Sequence, residues 1–190
     1  IVTTVDGCMD RIADAKELKQ RILSLEVGQQ LDLTRFGKKL AEMGFTVTFD
    51  ASAAETGSDT GNLIAHLPGT VPGRIGFSAH LDTVKPCAGI EAVIEQRHIC
   101  DDVTCRMAEV VCSAGETILS ADNKAGIAAI FEGLRSVLES GTPRPGITVL
   151  LTTCEEQHLL GSSALADGLL PAGAPCYVLD ADGAPGTVIT

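Results

Sequence analysis

Aromatic side chains are scarce in this sequence of 190 residues, which contains no Trp, one Tyr and five Phe. The core must therefore be built from aliphatic side chains, and contents of 45% hydrophobic and 21% charged residues are those of an ordinary globular protein. Positive charge is also scarce, because 14 Lys and Arg stand against 25 Asp and Glu, a net charge of −11. This imbalance argues against nucleic acids and anionic membrane surfaces as partners. No apolar run approaches the length of a membrane span, and the chain length suits one domain.

The seven cysteines include no C-x-x-C pair. An odd number of cysteines in a chain of this size argues against a disulfide framework and favours a reducing compartment, so we expect a cytoplasmic protein. Cys100, Cys105 and Cys112 stand at intervals that match no common zinc-binding pattern. These spacings argue against a thiolate metal site.

The stretch R-I-G-F-S-A-H-L-D-T-V, residues 74–84, begins as an apolar run and ends in polar residues. Such a run is typical of a strand buried on both faces. Side chains two apart in a strand point the same way, so His80 and Asp82 can face one site. The pair suits a metal ligand whose second ring N–H is held by an acceptor. A buried histidine followed by a turn-forming aspartate would give the same pattern, so the pair alone leaves both interpretations open.

Acidic residues follow three further segments. Asp122, in S-A-D-N-K-A-G, precedes an amphipathic helix, a position where aspartate is also a good N-cap. Glu155 and Glu156 follow the apolar strand predicted at 147–153. A last apolar strand at 176–183, C-Y-V-L-D-A-D-G, ends in two aspartates. Each of these ends, taken singly, could be an acidic residue that meets solvent.

The other segments complete an alternation of strands and helices. We predict helices at 10–25, 33–43 and 158–166, strands at 45–49 and 61–67, a loop at 50–60 and a hairpin between 85 and 118. This order indicates an α/β fold with a mainly parallel, doubly wound sheet and helices on both faces. In such sheets ligands bind beyond the carboxyl ends of the strands, where the acidic residues fall.

One histidine among several carboxylates is poor chemistry for a structural zinc site, which favours Cys and His. It suits a pair of divalent ions that share a bridging carboxylate and a water, an arrangement used for hydrolysis. The adjacent Glu155 and Glu156 also allow one glutamate to bind metal while the other moves protons.

The strand ends lie in four longer motifs: S-A-H-L-D-T-V, S-A-D-N-K-A-G, T-C-E-E-Q-H-L-L-G-S and L-D-A-D-G. In this order they resemble the M20 dizinc metallopeptidases, and most closely the peptidase T (tripeptidase) branch. The similarity runs from about Gly61 to Thr190 and is weaker before Gly61. It implies that residues 1–190 are a portion of a zinc-peptidase catalytic domain.

The resemblance also implies a centre of two zinc ions, with Co²⁺ or Mn²⁺ as alternatives. His80 and Asp182 would bind one ion and Glu156 the other. Asp122 would bridge the two ions.

Two further residues would act without binding metal. Asp82 would orient His80, and Glu155 would be the general base for the water that attacks the peptide carbonyl. In the resembled family the bond after the bridging aspartate is typically cis, so we expect a cis peptide between Asp122 and Asn123.

The sequence departs from the family at several points. Ser120 stands where members usually have Gly, and Asn123 where they usually have Asp. The resemblance also implies a lid or dimerisation domain and a final histidine ligand beyond Thr190. Three remaining histidines do not stand where that ligand is expected: His66, His98 and His158.

The expected function is zinc-dependent hydrolysis of the N-terminal peptide bond of short peptides, as in a tripeptide aminopeptidase. The 190-residue chain alone is expected to be a very poor peptidase, and a homodimer through the lid would be a feature of the complete protein. Two alternatives stay open: an N-acyl amino acid amidohydrolase or deacylase of the same superfamily, and a non-catalytic metal-binding homologue. Neither nucleic acid nor membrane is expected as a partner.

Overall fold

The computed structural model describes residues 33–100, 103–169 and 172–181. The helix predicted at 10–25 and the predicted ligand Asp182 lie outside the described residues. The chain divides into two compact units, of which one comprises residues 30–83 and 122–180. The other contains residues 84–121. In the described part of the chain, no helix is both long enough and apolar enough to cross a membrane.

The described residues form four helices and seven strands, labelled in chain order. The helices are α1 (Leu33–Glu42), α2 (Ala53–Thr56), α3 (Ala121–Ser140) and α4 (Leu160–Ser163). The strands are β1 (Thr46–Phe49), β2 (Leu63–Leu67), β3 (Arg74–His80), β4 (Ala92–Cys100), β5 (Cys105–Ser113), β6 (Gly146–Thr152) and β7 (Cys176–Val178).

Five strands form one sheet in the order β1-β2-β6-β3-β7. β3 pairs in parallel with β6 and with β7, whereas β2 pairs antiparallel with β1 and with β6. The predicted α/β fold is confirmed: in this sheet β2 alone runs opposite to the other four strands, and the neighbouring strands β6, β3 and β7 pair in parallel. Since parallel strands end at the same edge, the residues that follow these three strands are brought together there.

The core lies on β6, in which every residue from Gly146 to Thr152 is buried. As the shortage of aromatics predicts, the largest fully buried side chains are mainly aliphatic: Leu40, Leu63, Leu81, Ile127, Leu151 and Val149, with Asn62. α1 and α3 meet through Phe36 and Phe131, whose ring centroids lie 5.8 Å apart. The segments that carry the strand ends are therefore attached to a well-packed framework.

The second unit contains the predicted hairpin. β4 and β5 pair antiparallel from Ala92 and Ser113 to Cys100 and Cys105, over longer strands than their apolar pieces suggest. A disulfide joins Cys100 to Cys105 where the hairpin turns. The cysteine count did not predict this single pair, which the antiparallel register sets opposite each other.

Three local predictions differ from the structure. The segment predicted as a loop at 50–60 contains the short helix α2. The helix predicted at 158–166 is reduced to α4, because His158 and Leu159 adopt positive φ angles of 62° and 61° before it. The last strand is confined to β7, whose three residues are exposed.

Candidate active site

His80 is the last residue of β3 and is buried, with 2% of its surface exposed. Its Nε2 atom lies 2.7 Å from Oδ1 of Asp122, 3.4 Å from Oδ1 of Asp180 and 3.8 Å from Oε2 of Glu155. One ring nitrogen of a buried imidazole therefore faces three carboxylates, each from a different segment of the unit.

The other ring nitrogen of His80 is directed at Asp82. Nδ1 lies 3.0 Å from the backbone oxygen of Asp82 and 3.6 Å from its Oδ1. The Nδ1–H group donates to that backbone oxygen, so Nε2 is the nitrogen that either donates a proton to Asp122 or, once deprotonated, is available to a metal ion. The contact that fixes the ring is thus made mainly by the backbone of Asp82, rather than by its carboxylate as the strand alternation suggests.

The carboxylate of Asp82 holds the two glutamates instead. Its Oδ1 accepts the backbone N–H of Glu155 at 3.0 Å, and its Oδ2 accepts the backbone N–H of Glu156 at 3.1 Å. Burial tends to raise the pKa of Asp82, but the His80 imidazole 3.6 Å away and the hydrogen bonds from these two N–H groups outweigh it and lower the pKa. Asp82 therefore links the end of β3 to the segment after β6.

Asp122 lies at the start of α3 with a non-helical backbone, φ −80° and ψ 107°. The peptide bond between Asp122 and Asn123 is cis, as the family resemblance predicts. The Thr83 hydroxyl donates to the backbone oxygen of Asp122 at 3.3 Å. The preceding Ser120 has φ 63°, in the left-handed region that favours glycine, the residue usual at this position in the resembled family.

Asp180 is the carboxylate that the sequence interpretation missed. β3 and β7 run in register, with Ser78 opposite Val178, and the Leu179 N–H donates to the Ser78 oxygen. Two residues further along, Asp180 comes level with His80. Asn123 donates its side-chain N–H to Oδ1 of Asp180 at 2.7 Å.

The signal for Asp180 was its position as the first polar residue after an apolar run. His80 similarly ends the apolar run of β3. The predicted ligand Asp182 lies outside the described residues. The two aspartates lie two residues apart, so the alternation of a strand favours neither of them.

The carboxylates shift one another's proton affinities. Burial by itself lowers the pKa of His80, but hydrogen bonds with Asp82 and Asp122 and the charge of Asp180 raise it to about 9. Burial raises the pKa of Asp180, and repulsion from Asp122 and Glu156 adds to this. Burial also raises the pKa of Glu156, together with the charge of Asp122. These shifts indicate an excess of negative charge that a cation would relieve.

Two sets of donor atoms are compact enough to hold a metal ion. One set comprises His80, Asp122 and Glu156, the other His80, Glu155 and Asp180, with all atoms of each set within 4.8 Å of one another. A mixture of imidazole nitrogen and carboxylate oxygen fits divalent ions such as zinc. Among the described histidines, His80 alone belongs to these sets.

The structure thus gathers five residues that the sequence predicts for the site: His80, Asp82, Asp122, Glu155 and Glu156. Their individual roles stay predictions. His66 lies instead on β2, where its Nδ1 is 3.4 Å from the hydroxyl oxygen of Thr148.

An α/β unit whose parallel strand ends gather one histidine and several carboxylates has the donor groups that a hydrolytic metal centre uses. The chain belongs to peptidase family M28, whose family model matches residues 62–184. The resemblance to the M20 peptidases is confirmed at the level of the zinc-peptidase superfamily, of which M20 is a narrower division.

The chain is also similar in sequence to two bacterial proteins, one of them a named peptidase. The chain is 35% identical over 153 residues to the uncharacterised protein YqjE of Bacillus subtilis (strain 168), a match that covers 80% of this chain and 38% of that protein. It is 30% identical over 149 residues to peptidase T of Escherichia coli (strain SE11), covering 68% of this chain and 36% of the peptidase.

The chain is also similar to a solved aminopeptidase structure. The crystal structure of aminopeptidase PepT from Bacillus cereus ATCC 10987 matches with a TM-score of 0.76 and 32% identity, over 90% of this chain and 44% of that one. The chain thus spans less than half of the length of each of these three relatives.

Proposed function

We propose that this chain is the metal-binding catalytic portion of an aminopeptidase of the M20 type, which removes the N-terminal residue of short peptides. The observation that carries the proposal is the position of His80 Nε2, which faces Asp122, Asp180 and Glu155 within 3.8 Å. The names of the peptidase T and PepT relatives support the substrate class.

Four residues would hold two zinc ions. His80 and Asp180 would bind the first ion and Glu156 the second, with Asp122 as a ligand of both, so that Asp180 would take the role that the family resemblance implies for Asp182. Bound zinc supplies a Lewis acid that polarises the scissile carbonyl and lowers the pKa of water. The backbone oxygen of Asp82 keeps the proton of His80 on Nδ1, 3.0 Å away, so that Nε2 is free to bind.

Glu155 is the general base in this proposal. Its backbone N–H is held by Asp82 at 3.0 Å, and its carboxylate lies 3.8 Å from His80 Nε2, beside the proposed metal ligands. From there Glu155 accepts the proton of the attacking water and delivers it to the leaving amine. Glu156, whose backbone N–H donates to the other oxygen of Asp82, would be a ligand of the second ion.

We further propose that the 190 residues alone hydrolyse peptides poorly. With His80 used by the first ion, the second ion would have only the carboxylates Asp122 and Glu156 among the described residues. A catalytic zinc site typically has three protein ligands.

A cytoplasmic location is also part of the proposal. Four described cysteines are free, Cys87, Cys112, Cys154 and Cys176. Unpaired thiols are typical of reducing compartments, although the hairpin carries one disulfide.

The protein encoded by the complete reading frame tests the function. We expect it to release the N-terminal residue of an unblocked tripeptide, to lose this activity in a chelator and to regain it with zinc. The N-acetylated tripeptide is the matched control, because it lacks the free amine of an aminopeptidase substrate. Hydrolysis of N-acyl amino acids without hydrolysis of tripeptides would replace the proposal with the amidohydrolase alternative.

A further inference from the structure

Asn62, the residue before β2, is completely buried, with 0% of its surface exposed. Its Nδ2 group donates to Oδ2 of Asp50 and to the backbone oxygen of Gly161, both at 2.8 Å. Its Oδ1 accepts the backbone N–H of Thr153 at 3.0 Å and lies 3.5 Å from the hydroxyl oxygen of Thr153. The amide group thus uses both of its donors and its acceptor within the protein.

Thr153 and Gly161 are the two ends of one segment. Residues 154–160 lie between them and carry Glu155 and Glu156. Asn62 is therefore bonded to the segment where it leaves β6 and again where it enters α4, 91 and 99 residues away in sequence. Gly161 lies so close that a Cβ there would overlap the backbone oxygen of Thr153 and come within 2.8 Å of Oδ1 of Asn62.

Asp50 fixes which way the Asn62 amide faces. Its Oδ2 accepts from Asn62 Nδ2, and its Oδ1 accepts the backbone N–H of Asn62 at 2.8 Å and that of Ser52 at 3.1 Å. A carboxylate accepts hydrogen bonds and does not donate them when ionised, so the Nδ2 group must face Asp50. The oxygen of the amide then faces the N–H of Thr153, which needs an acceptor.

We propose that Asn62 is a positioning residue for Glu155 and Glu156, one that sets the two ends of their segment while Asp82 holds its middle. The inference rests on the proposed function, in which these glutamates act as base and ligand. Seven residues between two fixed ends, with positive φ at Cys154, His158 and Leu159, have few alternative paths. A shift of either end is therefore passed on to the glutamate carboxylates.

Two variants disturb this arrangement from opposite sides. Asn62→Ala removes all side-chain bonds to Thr153 and Gly161. Gly161→Ala keeps Asn62 but forces the second end of the segment away from Thr153. If Asn62→Ala does not fold, Gly161→Ala alone tests the proposal. Two controls leave the segment alone: Gly133→Ala, where a Cβ would have nothing within 4 Å, and Thr148→Val, which removes a buried hydroxyl near His66.

The first measurement is hydrogen–deuterium exchange at single amides in the metal-free protein from the complete reading frame. The N–H groups of Glu155 and Glu156 are protected by Asp82. We expect their exchange to accelerate about tenfold or more in both variants and to stay unchanged in both controls, while the amide of Val149 in β6 stays protected throughout. Unchanged exchange at both glutamates in both variants would overturn the proposal.

The second measurement is tripeptide hydrolysis and zinc affinity. We expect kcat to fall roughly 10–100-fold with little change in KM, and zinc affinity to fall by a similar factor, as is typical when residues that support metal ligands are replaced. A wild-type kcat and zinc affinity in variants with accelerated exchange would also overturn the inference. If the wild-type protein hydrolyses no tripeptide, the proposed function fails, while exchange and zinc affinity still decide the role of Asn62.

Discussion

The Nε2 atom of His80 lies 2.7 Å from Oδ1 of Asp122, although the two residues are 42 positions apart in sequence. His80 ends a strand and Asp122 lies in the first turn of a helix, so the contact joins β3 to α3. Because Nδ1 is already directed at the backbone oxygen of Asp82, Nε2 and Oδ1 are the atoms left to share a cation.

Replacement of His80 by Ala removes the one nitrogen donor of both proposed donor sets. We expect the zinc content of protein purified without chelators to fall from about one or two ions per chain to nearly none. His66→Ala is the matched control, since His66 contacts Thr148 and lies in neither donor set. Metal analysis of the two variants checks the prediction, and equal zinc content in both would contradict it.

We expect replacement of Asp180 and replacement of Asp182 to change zinc affinity to different extents. Asp180 lies 3.4 Å from His80 Nε2 and accepts a hydrogen bond from Asn123, so we expect Asp180→Asn to weaken zinc binding by roughly 10–100-fold. Asp182→Asn is expected to have a smaller effect. Zinc titration against a competing chelator measures both affinities, and the reverse order would return the ligand role to Asp182.

We expect substitution of Glu155 and of its neighbour Glu156 to lower activity in different ways. Glu155→Gln removes the proposed proton acceptor while leaving the metal ligands, so kcat falls by ~10²–10⁴ at any zinc concentration. Glu156→Gln weakens the second ion, so its activity recovers in part with added zinc. The measurement is kcat of each variant across a zinc titration in the complete protein. Rescue of Glu155→Gln alone would exchange the two roles.

Protonation of His80 makes the metal-free protein sensitive to pH. The pKa of His80 rises from 6.5 to about 9 on folding, because contacts with Asp82, Asp122 and Asp180 outweigh its burial. This contribution to stability is fully present below pH 6.5 and is lost as pH rises through about 9. Urea unfolding of chelator-treated protein between these limits measures it. A His80→Gln variant should lack this part of the slope, and an identical slope in both proteins would assign it to other groups.

Gly126, in the second turn of α3, permits a close approach. A Cβ at this position would overlap the side-chain oxygen of Asn123 and the backbone oxygen of Leu179, next to Asp180. We expect Gly126→Ala to destabilise the protein by about 1–3 kcal/mol, as overpacking does, whereas Gly133→Ala should be neutral or gain about 0.5–1 kcal/mol from helix propensity. Chemical unfolding measures both variants, and equal stabilities would show that α3 can shift freely.

The sequence alone determined which positions along the chain carry most of the candidate site residues. β3 and β6 are apolar runs that must be buried, and each is followed by polar residues that must leave the core: His80 and Asp82 after one, Glu155 and Glu156 after the other. The helical periodicity after Asp122 likewise placed that residue at the start of α3. Such information is local, so it is visible without a fold.

Short elements with little burial were not visible in the same way. α2 has no buried residue, and β7 is exposed along its three residues, so neither leaves a strong hydrophobic pattern. The strands β4 and β5 extend through charged and exposed residues and are held by their pairing with each other. Pairing partners are decided by tertiary structure.

Only the tertiary structure decided which residues meet. The parallel register of β3 and β7 brings Asp180 level with His80, a choice that alternation within one strand cannot make. Asn62 carries no sign of its role in the sequence, because its partners Thr153 and Gly161 lie 91 and 99 residues away. A buried amide needs partners wherever the fold supplies them, and the fold supplies them at both ends of the segment that holds Glu155 and Glu156.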